Sequence, residues 1–351
     1  MNNITKREKE ILDCLKKDPM ISQDELAARM NISRSAAAVH ISNLMKKGYI
    51  LGRGYIFDER SGVVVIGKTW LEVCSDPLKT SGKVDVSYQG LGYRLALELL
   101  KFGVEPILLT VLGQDEIGDQ MHNHLLQKGI KVQHIIRSKD FPTAKRVIVR
   151  NGEQTISSVE EMDVIECINE RYFASKEDII KNTRVLLVDG TLSLPQVKYL
   201  AEKIKQYNIM SSIAGRPLVW YKEKGFFSYS EMFLVCQCQE LEILAGHTLG
   251  TEPEGYFPIC RNIIEEGLRA LVVMMGEQGL ILATKEEIVC LPNTPLQPVQ
   301  SDLSINAGIA GGLASGLGFR LAIRRAMGSR TTGETLPGKF KIKKTTNNYL
   351  L

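Results

Sequence analysis

Short, uninterrupted apolar runs alternate with helical patterns over most of this 351-residue chain. The runs VVVIG, RVLLVDG and ALVVMMG are typical of buried strands, and amphipathic stretches such as GYRLALELLKFG and LPQVKYLAEKIKQYN lie between runs of this kind. Strands without polar alternation indicate a parallel sheet that is covered on both faces. The alternation therefore predicts a doubly wound α/β sheet, whose ligands bind beyond the carboxyl ends of the strands.

Residues 1–58 follow a different pattern, with three short helical segments and a hairpin. Apolar residues recur at helical spacing in the first and third segments, and a capping box at Ser22 and Glu25 opens the second. Ser33 is the expected N-cap of the third segment. The run YILGRGYIF then predicts two short strands around a Gly-Arg-Gly turn. Helix, helix, turn, helix and hairpin is the order of a winged helix-turn-helix.

This module is expected to bind duplex DNA through its third helix and its hairpin. Side chains at the N-terminus of such a helix can reach base edges, small apolar groups on its exposed face can contact thymine methyls, and basic groups near its end and on the hairpin suit phosphates. The alternative is a three-helix adaptor that binds protein. The predicted DNA contacts are Ser33, Arg34, Ser35, Val39, His40, Lys46, Lys47 and Arg53.

Composition restricts the class of protein further. The formal net charge of +4 is mild, so no strongly basic surface is expected over the whole molecule. The seven cysteines are scattered and form no zinc-binding pattern, which favours reduced thiols in a cytoplasmic protein. The sequence has no apolar run long enough to span a bilayer, and its N-terminus lacks the apolar core of a signal peptide. A membrane partner is therefore not expected.

Five segments carry a resemblance to a known family. They are VLGQDEIGDQMHNHLLQKGI, LLVDGTL, LEILAGH, VVMMGEQGLILA and SDLSINAGIAGGLASGLGF, in this order along the chain. Together they resemble the motifs of the PfkB (ribokinase-like) sugar and nucleoside kinases, including pseudouridine-kinase-like members, some of which carry an N-terminal winged helix-turn-helix. The resemblance implies a ribokinase-like doubly wound sheet with a small substrate-side lid over residues 62–328, with ATP and Mg²⁺ as cofactors if the site is functional.

The resemblance also implies roles for particular residues. In the family, two glycines flank the nucleotide and a Gly-rich turn opens a helix whose N–H groups bind phosphate. The residues that match these nucleotide and phosphate positions are Gly276, Gly279, Ser304, Asn306, Ala307 and Gly308. The segment after residue 328 is polar and carries four lysines between Lys339 and Lys344, so residues 329–351 are expected to form a disordered basic tail, with an auxiliary DNA contact as the alternative.

The chemical positions depart from the family pattern. The Asp that serves as catalytic base falls on Ala307 or Gly308, depending on a one-residue gap, and neither can accept a proton. The substrate-side positions are Trp70, Glu72, Gly90 and Arg94, of which only Gly90 matches the family residue. The Asn-x-x-Glu motif that organises magnesium becomes Gln237 to Glu240, which leaves Glu240 as the candidate metal residue.

These departures favour a DNA-binding regulator whose degenerate kinase domain senses a nucleoside, sugar or nucleotide, or forms a homodimer. The resemblance implies that the run SGKVDVSYQ belongs to the strands that pair subunits. The alternative is an active ATP-dependent kinase of a sugar or pseudouridine-like nucleoside, a phosphotransferase with an alcohol acceptor and a shifted base at Asp302 or Asp85. A gene product without retained function is the third interpretation.

Overall fold

The computed structural model describes residues 4–18, 21–47, 49–52, 56–57, 61–76, 83–152, 154–293 and 300–328. The helices are α1 (Lys6–Lys17), α2 (Gln23–Met30), α3 (Arg34–Lys46), α4 (Leu91–Lys101), α5 (Glu116–Gln127), α6 (Glu170–Ser175), α7 (Glu177–Lys181), α8 (Leu194–Tyr207), α9 (Leu218–Glu223), α10 (Cys238–Ala245), α11 (Phe257–Glu265), α12 (Asp302–Ala314) and α13 (Phe319–Ala326). None of the helices in this part of the chain is both long and apolar enough to cross a membrane.

The strands of the N-terminal module and of the first half of the larger region are β1 (Ile50–Gly52), β2 (Ile56–Phe57), β3 (Ser61–Ile66), β4 (Trp70–Asp76), β5 (Lys83–Gln89), β6 (Ile107–Leu109), β7 (Val111–Gly113), β8 (Ile136–Ser138), β9 (Lys145–Asn151) and β10 (Gln154–Glu161). The remaining strands are β11 (Thr183–Asp189), β12 (Met210–Ala214), β13 (Phe233–Gln237), β14 (Ala270–Met274), β15 (Leu280–Thr284) and β16 (Ile288–Leu291).

Helices α1 to α3 and strand β1 form a small core of their own, whose buried residues run from Ile11 to Ile50. The capping box at Ser22 and Glu25 is present, and the Ser33 hydroxyl caps α3 as predicted. Strands β1 and β2 pair antiparallel, which confirms the predicted hairpin. The sequence favours helix stops at Pro19 and Gly48. These two residues and the turn residue Arg53 lie outside the described residues.

The larger region is built on two four-stranded sheets. One is wholly parallel, in the order β12-β11-β3-β6, and the other has the order β13-β14-β15-β16 with only its first pair parallel. A bridge between Ser211 and Met232 joins the two. Alternate residues of β3 enter different cores: Val64 packs with one, and Val65 packs with the other beside α4 and α12. Helices therefore cover both faces of the sheet, and the predicted doubly wound architecture is confirmed.

A third four-stranded sheet, in the order β10-β9-β4-β5, forms the lid. The run SGKVDVSYQ supplies most of β5, as expected for the substrate-side strands. The strand-like run TAKRVIVRN supplies β9 of this lid. The predicted domain limits at residues 58, 62 and 328 stay predictions, and the basic tail from residue 329 lies outside the described residues.

Candidate functional site

Helix α12 begins earlier than the family pattern predicts. The Ser301 hydroxyl accepts a hydrogen bond from the Ser304 backbone N–H at 3.2 Å, and the Ile305 N–H donates to the Ser301 carbonyl at 3.0 Å. Serine is a strong N-cap, and the apolar side chains of Leu303 and Ile305 gain burial in this helical conformation. The expectation that residues 304–308 form a turn at the helix start is therefore wrong: these residues lie inside α12.

This placement changes what the backbone can bind. From the second turn onward, each helical N–H bonds to the carbonyl four residues before it. The N–H groups of Asn306, Ala307 and Gly308 are therefore used within α12. A phosphate cradle needs free N–H groups at a helix N-terminus. At these positions the backbone does not fit the phosphate of a bound nucleotide.

The position of the catalytic base is filled by core packing in either register. Ala307 is fully buried in the core to which α4, α12 and α13 contribute. An added Cβ at Gly308 would lie 2.5 Å from the Cβ of Ala326, which is too close for any real side chain. The small residues at 307 and 308 thus let α12 pack closely against α13. Neither position offers a proton acceptor.

The polar side chains in the same helix have protein partners. Asn306 is buried, and its Oδ1 accepts from the Ser212 hydroxyl at 2.7 Å while its Nδ2 donates to the Asp302 carbonyl at 3.2 Å. The Ser304 hydroxyl donates to Gln300 Oε1 at 3.2 Å. Sequence reasoning could not identify the Ser212 partner because the two residues are 94 positions apart.

Gly276 and Gly279 lie in the turn between β14 and β15, and both have positive φ, at 61° and 105°. An added Cβ at Gly279 would lie 2.2 Å from the Leu291 carbonyl oxygen, so only glycine fits there. The two glycines border a small recess that also includes Asn293 and Gln300. The structure thus places both glycines at a concave surface near α12, and their role toward a nucleotide stays a prediction.

The predicted substrate-side residues are divided between the lid and α4. Trp70 and Glu72 lie on β4, and the indole N–H of Trp70 is buried without a hydrogen-bond partner among the described residues. Gly90 is the N-cap of α4 with φ of 114°, and an added Cβ there would lie 2.2 Å from the Lys68 carbonyl. Arg94 is exposed in the first turn of α4. Gly90 therefore brings the start of α4 onto the end of β3.

Sequence reasoning missed a polar cluster at the carboxyl ends of β3 and β11. The Asp189 carboxylate is buried and accepts hydrogen bonds from the Lys68 N–H at 3.0 Å and from the Thr191 N–H and hydroxyl at 2.8 and 2.6 Å. Burial raises the pKa of Asp189, and the bonds from Thr191 and Lys68 oppose that shift. The only sequence signal was the Asp-Gly pair after a predicted strand, which had been noted as a family motif.

Two cations contact the loop that follows β11. Lys68 Nζ donates to the Thr191 carbonyl at 2.6 Å, and Arg216 Nε donates to the Gly190 carbonyl at 2.7 Å. The guanidinium carbon of Arg216 lies 5.3 Å from the ring centroid of Trp220. Two cationic side chains therefore lie at the carboxyl ends of β3 and β12, beside the loop that follows β11.

The Glu240 carboxylate, which was predicted as a metal residue, holds two helix starts together. Its Oε2 accepts from the Leu218 N–H at 2.7 Å, and its Oε1 accepts from the Gln237 N–H at 3.0 Å. No group of three or more His, Cys, Asp or Glu side chains that could hold a metal occurs in the part of the chain that the structure describes. These contacts of Glu240 do not fit the binding of Mg²⁺ by the protein.

The two alternative catalytic bases lie on different elements. Asp302 is the first residue of α12, and Asp85 is on lid strand β5.

The DNA-binding prediction rests on the outer face of α3. The buried face carries Ala37, Ile41 and Leu44. Arg34 is exposed at the N-terminus of α3, where its Nε lies 3.5 Å from the Asp24 carboxylate with both side chains at least two-thirds exposed. Val39, on the face turned away from the core, is 58% exposed. The other predicted contacts that are exposed are Ser33, Ser35 and Lys46, whereas His40 is half-buried. The exposed set forms one surface of polar, basic and small apolar groups.

Lys47 has a partner within the module that sequence reasoning did not predict. Its Nζ lies 2.7 Å from Glu8 Oε2, and the Glu8 side chain is only 3% exposed. The bond ties the end of α3 to the first turn of α1, and the DNA contact of Lys47 stays a prediction. Glu8 is 39 positions away, and the local pattern could not reveal this partner.

Comparison with known proteins agrees with these two units. The family described as pfkB family carbohydrate kinase matches residues 63–330, and the family described as winged helix-turn-helix DNA-binding matches residues 4–50. The chain is 26% identical over 325 residues to the protein named Uncharacterized sugar kinase YeiI of Escherichia coli (strain K12), covering 89% of this chain and 87% of that protein.

More distant matches extend the comparison. The chain is 20% identical over 232 residues to pseudouridine kinase of Escherichia coli (strain K12), covering 63% of this chain and 72% of that protein. Ribokinase of Arabidopsis thaliana, solved in complex with ribose and ATP, superposes with a TM-score of 0.62 at 16% identity, covering 76% of this chain and 90% of that one. The larger region thus has the ribokinase-like fold. The chain belongs to the pfkB family of carbohydrate kinases and carries an N-terminal winged helix-turn-helix DNA-binding domain.

Proposed function

We propose that this protein is a DNA-binding transcriptional regulator whose pfkB domain senses a ligand without transferring phosphate. The observation that carries the proposal is the burial of Ala307 within α12 at the position that matches the family's catalytic base. General-base catalysis contributes on the order of 10²- to 10⁴-fold to a rate, and neither Ala307 nor Gly308 can supply it.

Two further losses support the proposal. Phosphoryl transfer depends mainly on positioning and on charge stabilisation by metal ions and N–H donors. The N–H groups at the predicted phosphate turn are bonded within α12, and both Glu240 oxygens accept backbone N–H groups. The base is therefore absent, the predicted phosphate N–H groups are used within α12 and the Glu240 oxygens are occupied, whereas the packing of the fold is kept.

The outer face of α3 supports a regulator that binds duplex DNA. A recognition helix reads base edges from its N-terminal residues and exposed face, while basic groups neutralise backbone phosphates. Arg34 and Val39 occupy the first of these regions, and Lys46 lies near the helix end. The α3 face therefore offers groups for both kinds of contact.

We also propose that the lid forms a homodimer. Val159, Val147, Val73 and Val86 lie opposite one another across the four lid strands, so their side chains share one face. Val159, Val147 and Val86 are 67%, 43% and 63% exposed. A contiguous exposed apolar row favours contact with a second protein surface, and a dimer would place two recognition helices on two half-sites.

Sedimentation velocity tests the lid dimer directly. Val86→Glu should convert the dimer to monomer, because it places a charge on the apolar row, at its β5 end. Leu126→Glu makes the same change at an exposed apolar position of α5 and should leave the dimer intact. A wild-type protein that is monomeric at micromolar concentration would contradict this part of the proposal.

An active phosphotransferase with an alcohol acceptor is the second candidate. It is favoured by the family match and by a relative whose name describes a sugar kinase. A pseudouridine-like or sugar substrate, with Asp302 or Asp85 as a shifted base, would fit this alternative. The DNA-binding domain would then couple the enzyme to its own expression.

The regulator is tested by in vitro selection from a library of random duplexes with the full-length protein. The proposal predicts enrichment of one sequence motif, with binding that weakens steeply as salt is raised because phosphate contacts release counterions. Failure to bind any duplex at low salt would favour the protein-binding adaptor.

A further inference from the structure

Three neighbouring parallel strands end at one small region of the sheet edge. Lys68 follows β3, Arg216 follows β12, and the loop after the strand between them, β11, contains Gly190 and Thr191. Both cations donate to carbonyls of this loop, Lys68 to Thr191 and Arg216 to Gly190. The carboxyl edge is where sheets of this kind bind ligands. Arg216 and Lys68 are 26 and 123 positions from their loop partners in the sequence, and the fold holds both cations at the edge where a ligand is expected.

Neither cation forms a salt bridge with a carboxylate among the described residues. Among the described residues, no carboxylate lies within 4.0 Å of Lys68 Nζ or of the Arg216 guanidinium, although both side chains are half-buried. Asp189 lies near Lys68, and its oxygens accept from the Lys68 N–H and from the Thr191 N–H and hydroxyl. Two half-buried cations that have no carboxylate at salt-bridge distance are costly to bury, so an external anion would stabilise this region.

Donor groups remain available for such an anion. The ammonium group of Lys68 has three N–H groups and uses one on the Thr191 carbonyl. Arg216 bonds through Nε alone among the described residues, which leaves the two terminal nitrogens of its guanidinium for a ligand. A planar guanidinium matches the geometry of phosphate oxygens, and an ammonium is a suitable point charge beside it.

The start of α4 adds a favourable field at the same place. Its N-cap is Gly90, which provides no side-chain cap for the first N–H groups. The Gly92 N–H donates to the Lys68 carbonyl at 3.1 Å, and the Leu91 side chain packs against Gly215, next to Arg216. The positive end of the α4 dipole therefore lies beside the backbone of Lys68 and Gly215, where it favours a negative charge.

We propose that this edge binds the phosphate group of a phosphorylated sugar or nucleoside. The inference rests on the proposed function, and it identifies the sensed ligand as a phosphomonoester, the chemical class of a kinase product, in place of a neutral alcohol. The glycines that border the predicted nucleotide recess follow β14 in the other sheet, so this phosphate is distinct from that of a nucleotide bound there.

Isothermal titration calorimetry on the full-length protein tests the proposal. The probes are ribose 5-phosphate, glucose 6-phosphate and uridine 5′-monophosphate, each compared with its unphosphorylated form, with inorganic phosphate as competitor. At least one phosphorylated probe should bind, its unphosphorylated form should bind at least roughly tenfold more weakly, and inorganic phosphate should compete. The three probes distinguish a pentose phosphate, a hexose phosphate and a nucleotide as the source of the anion.

Charge-removing variants locate the site. Lys68→Gln and Arg216→Gln should each weaken binding of the phosphorylated probe roughly tenfold, because each removes a charge-assisted contact. Lys222→Gln removes the same charge from an exposed position of α9 and should leave the affinity unchanged. Arg216→Lys keeps the charge and should recover part of the affinity. Circular dichroism melting curves establish that each variant is folded.

The outcomes separate this inference from the proposed function. Equal affinity for phosphorylated and unphosphorylated probes, no binding of any phosphomonoester, or binding that survives both glutamine variants would overturn the inference. Duplex binding is measured on the same preparation. A protein that binds DNA but no phosphomonoester would support the regulator and exclude this ligand class. A protein that binds a phosphomonoester but no DNA would support this ligand site and contradict the regulator.

Discussion

The guanidinium carbon of Arg184 lies 5.7 Å from the ring centroid of Tyr49, so a strand of the pfkB domain contacts the DNA-binding module. Arg184 is near the start of β11, and its Nη1 donates to the carbonyl of Ala314, the last residue of α12, at 2.8 Å. Tyr49 packs against the core of the module just before β1. Strand β11 ends at Asp189, so one strand connects the proposed ligand edge with the DNA-binding module.

We predict that this contact couples the two domains. Arg184→Ala or Tyr49→Leu should leave the affinity for DNA in the absence of ligand nearly unchanged, because a cation–π contact of this kind is worth about 0.5–1 kcal/mol. The effect of a phosphorylated ligand on DNA affinity should largely disappear in both variants. Fluorescence anisotropy with labelled duplex measures both quantities.

Lys203→Ala provides the control for this coupling. It removes a cation that lies over the rings of Tyr199 and Tyr207, away from the DNA-binding module. The ligand effect should persist in this variant. An unchanged ligand effect in Arg184→Ala would show that the two domains communicate elsewhere or not at all.

Arg34 is predicted to read bases. It lies at the N-terminus of α3, and its partner Asp24 is exposed, so this ion pair can open at little cost when DNA binds. Arg34→Ala should weaken binding to the selected motif by about 1–3 kcal/mol and weaken random duplexes less. Arg29→Ala, at an exposed and paired position of α2, is the control. Equal losses on both kinds of duplex would mean that Arg34 contacts phosphate only.

Restoring a carboxylate at the base position should fail. Ala307→Asp places an acid in a fully buried position, and Gly308→Asp forces a side chain against Ala326, so each should lower the free energy of unfolding by more than about 3 kcal/mol. Neither should gain ATP-dependent activity. Ser301→Asp adds a carboxylate at the N-cap of the same helix and should be nearly neutral. Denaturant unfolding and ATP turnover are the measurements, and a stable, active Ala307→Asp protein would contradict the packing argument.

The ion pair of Glu8 and Lys47 predicts a pH dependence of the DNA-binding module. Burial alone would raise the pKa of Glu8, but hydrogen bonds from Lys47 and Thr5 outweigh burial and hold the pKa below its ordinary value. Because the folded pKa is the lower one, the stabilisation is present above the ordinary pKa of Glu and is lost as the pH falls through the folded value.

Glu8→Gln should therefore destabilise the module by about 2 kcal/mol at neutral pH, and the difference from wild type should shrink below about pH 4. Hydrogen-exchange protection of α1 to α3 in the full-length protein, corrected for intrinsic exchange at each pH, measures this. Glu10→Gln removes an exposed partner of Arg7 and should change little. A Glu8→Gln effect that is the same at pH 3.5 and pH 7 would contradict the assignment.

Local patterns predicted the DNA-binding module well, because its caps and its buried helix face depend on residues three or four positions apart, such as Ser22 with Glu25 and Ile41 with Leu44. The α/β architecture followed from the same kind of signal. The start of α12 differs from the prediction because the Ser301 cap begins the helix before the residues that match the family turn.

The two cations beside the loop after β11, Lys68 and Arg216, were not predicted for a different reason. The partners of Lys68, Arg216 and Lys47 lie 123, 26 and 39 positions away, and only the folded chain brings them together. No local periodicity records such pairs. The sequence therefore indicated which positions differ from the family motifs, but not which distant residues lie together in the folded chain.

The central claim is that the pfkB domain binds a ligand without phosphorylating it. The most direct test is ATP turnover by the unmodified full-length protein with a panel of sugars and nucleosides, including ribose, fructose and pseudouridine, in the presence of Mg²⁺. Our account predicts turnover at the background rate with every acceptor. Robust, acceptor-dependent ATP consumption with formation of a phosphorylated product would contradict it and establish the protein as a kinase.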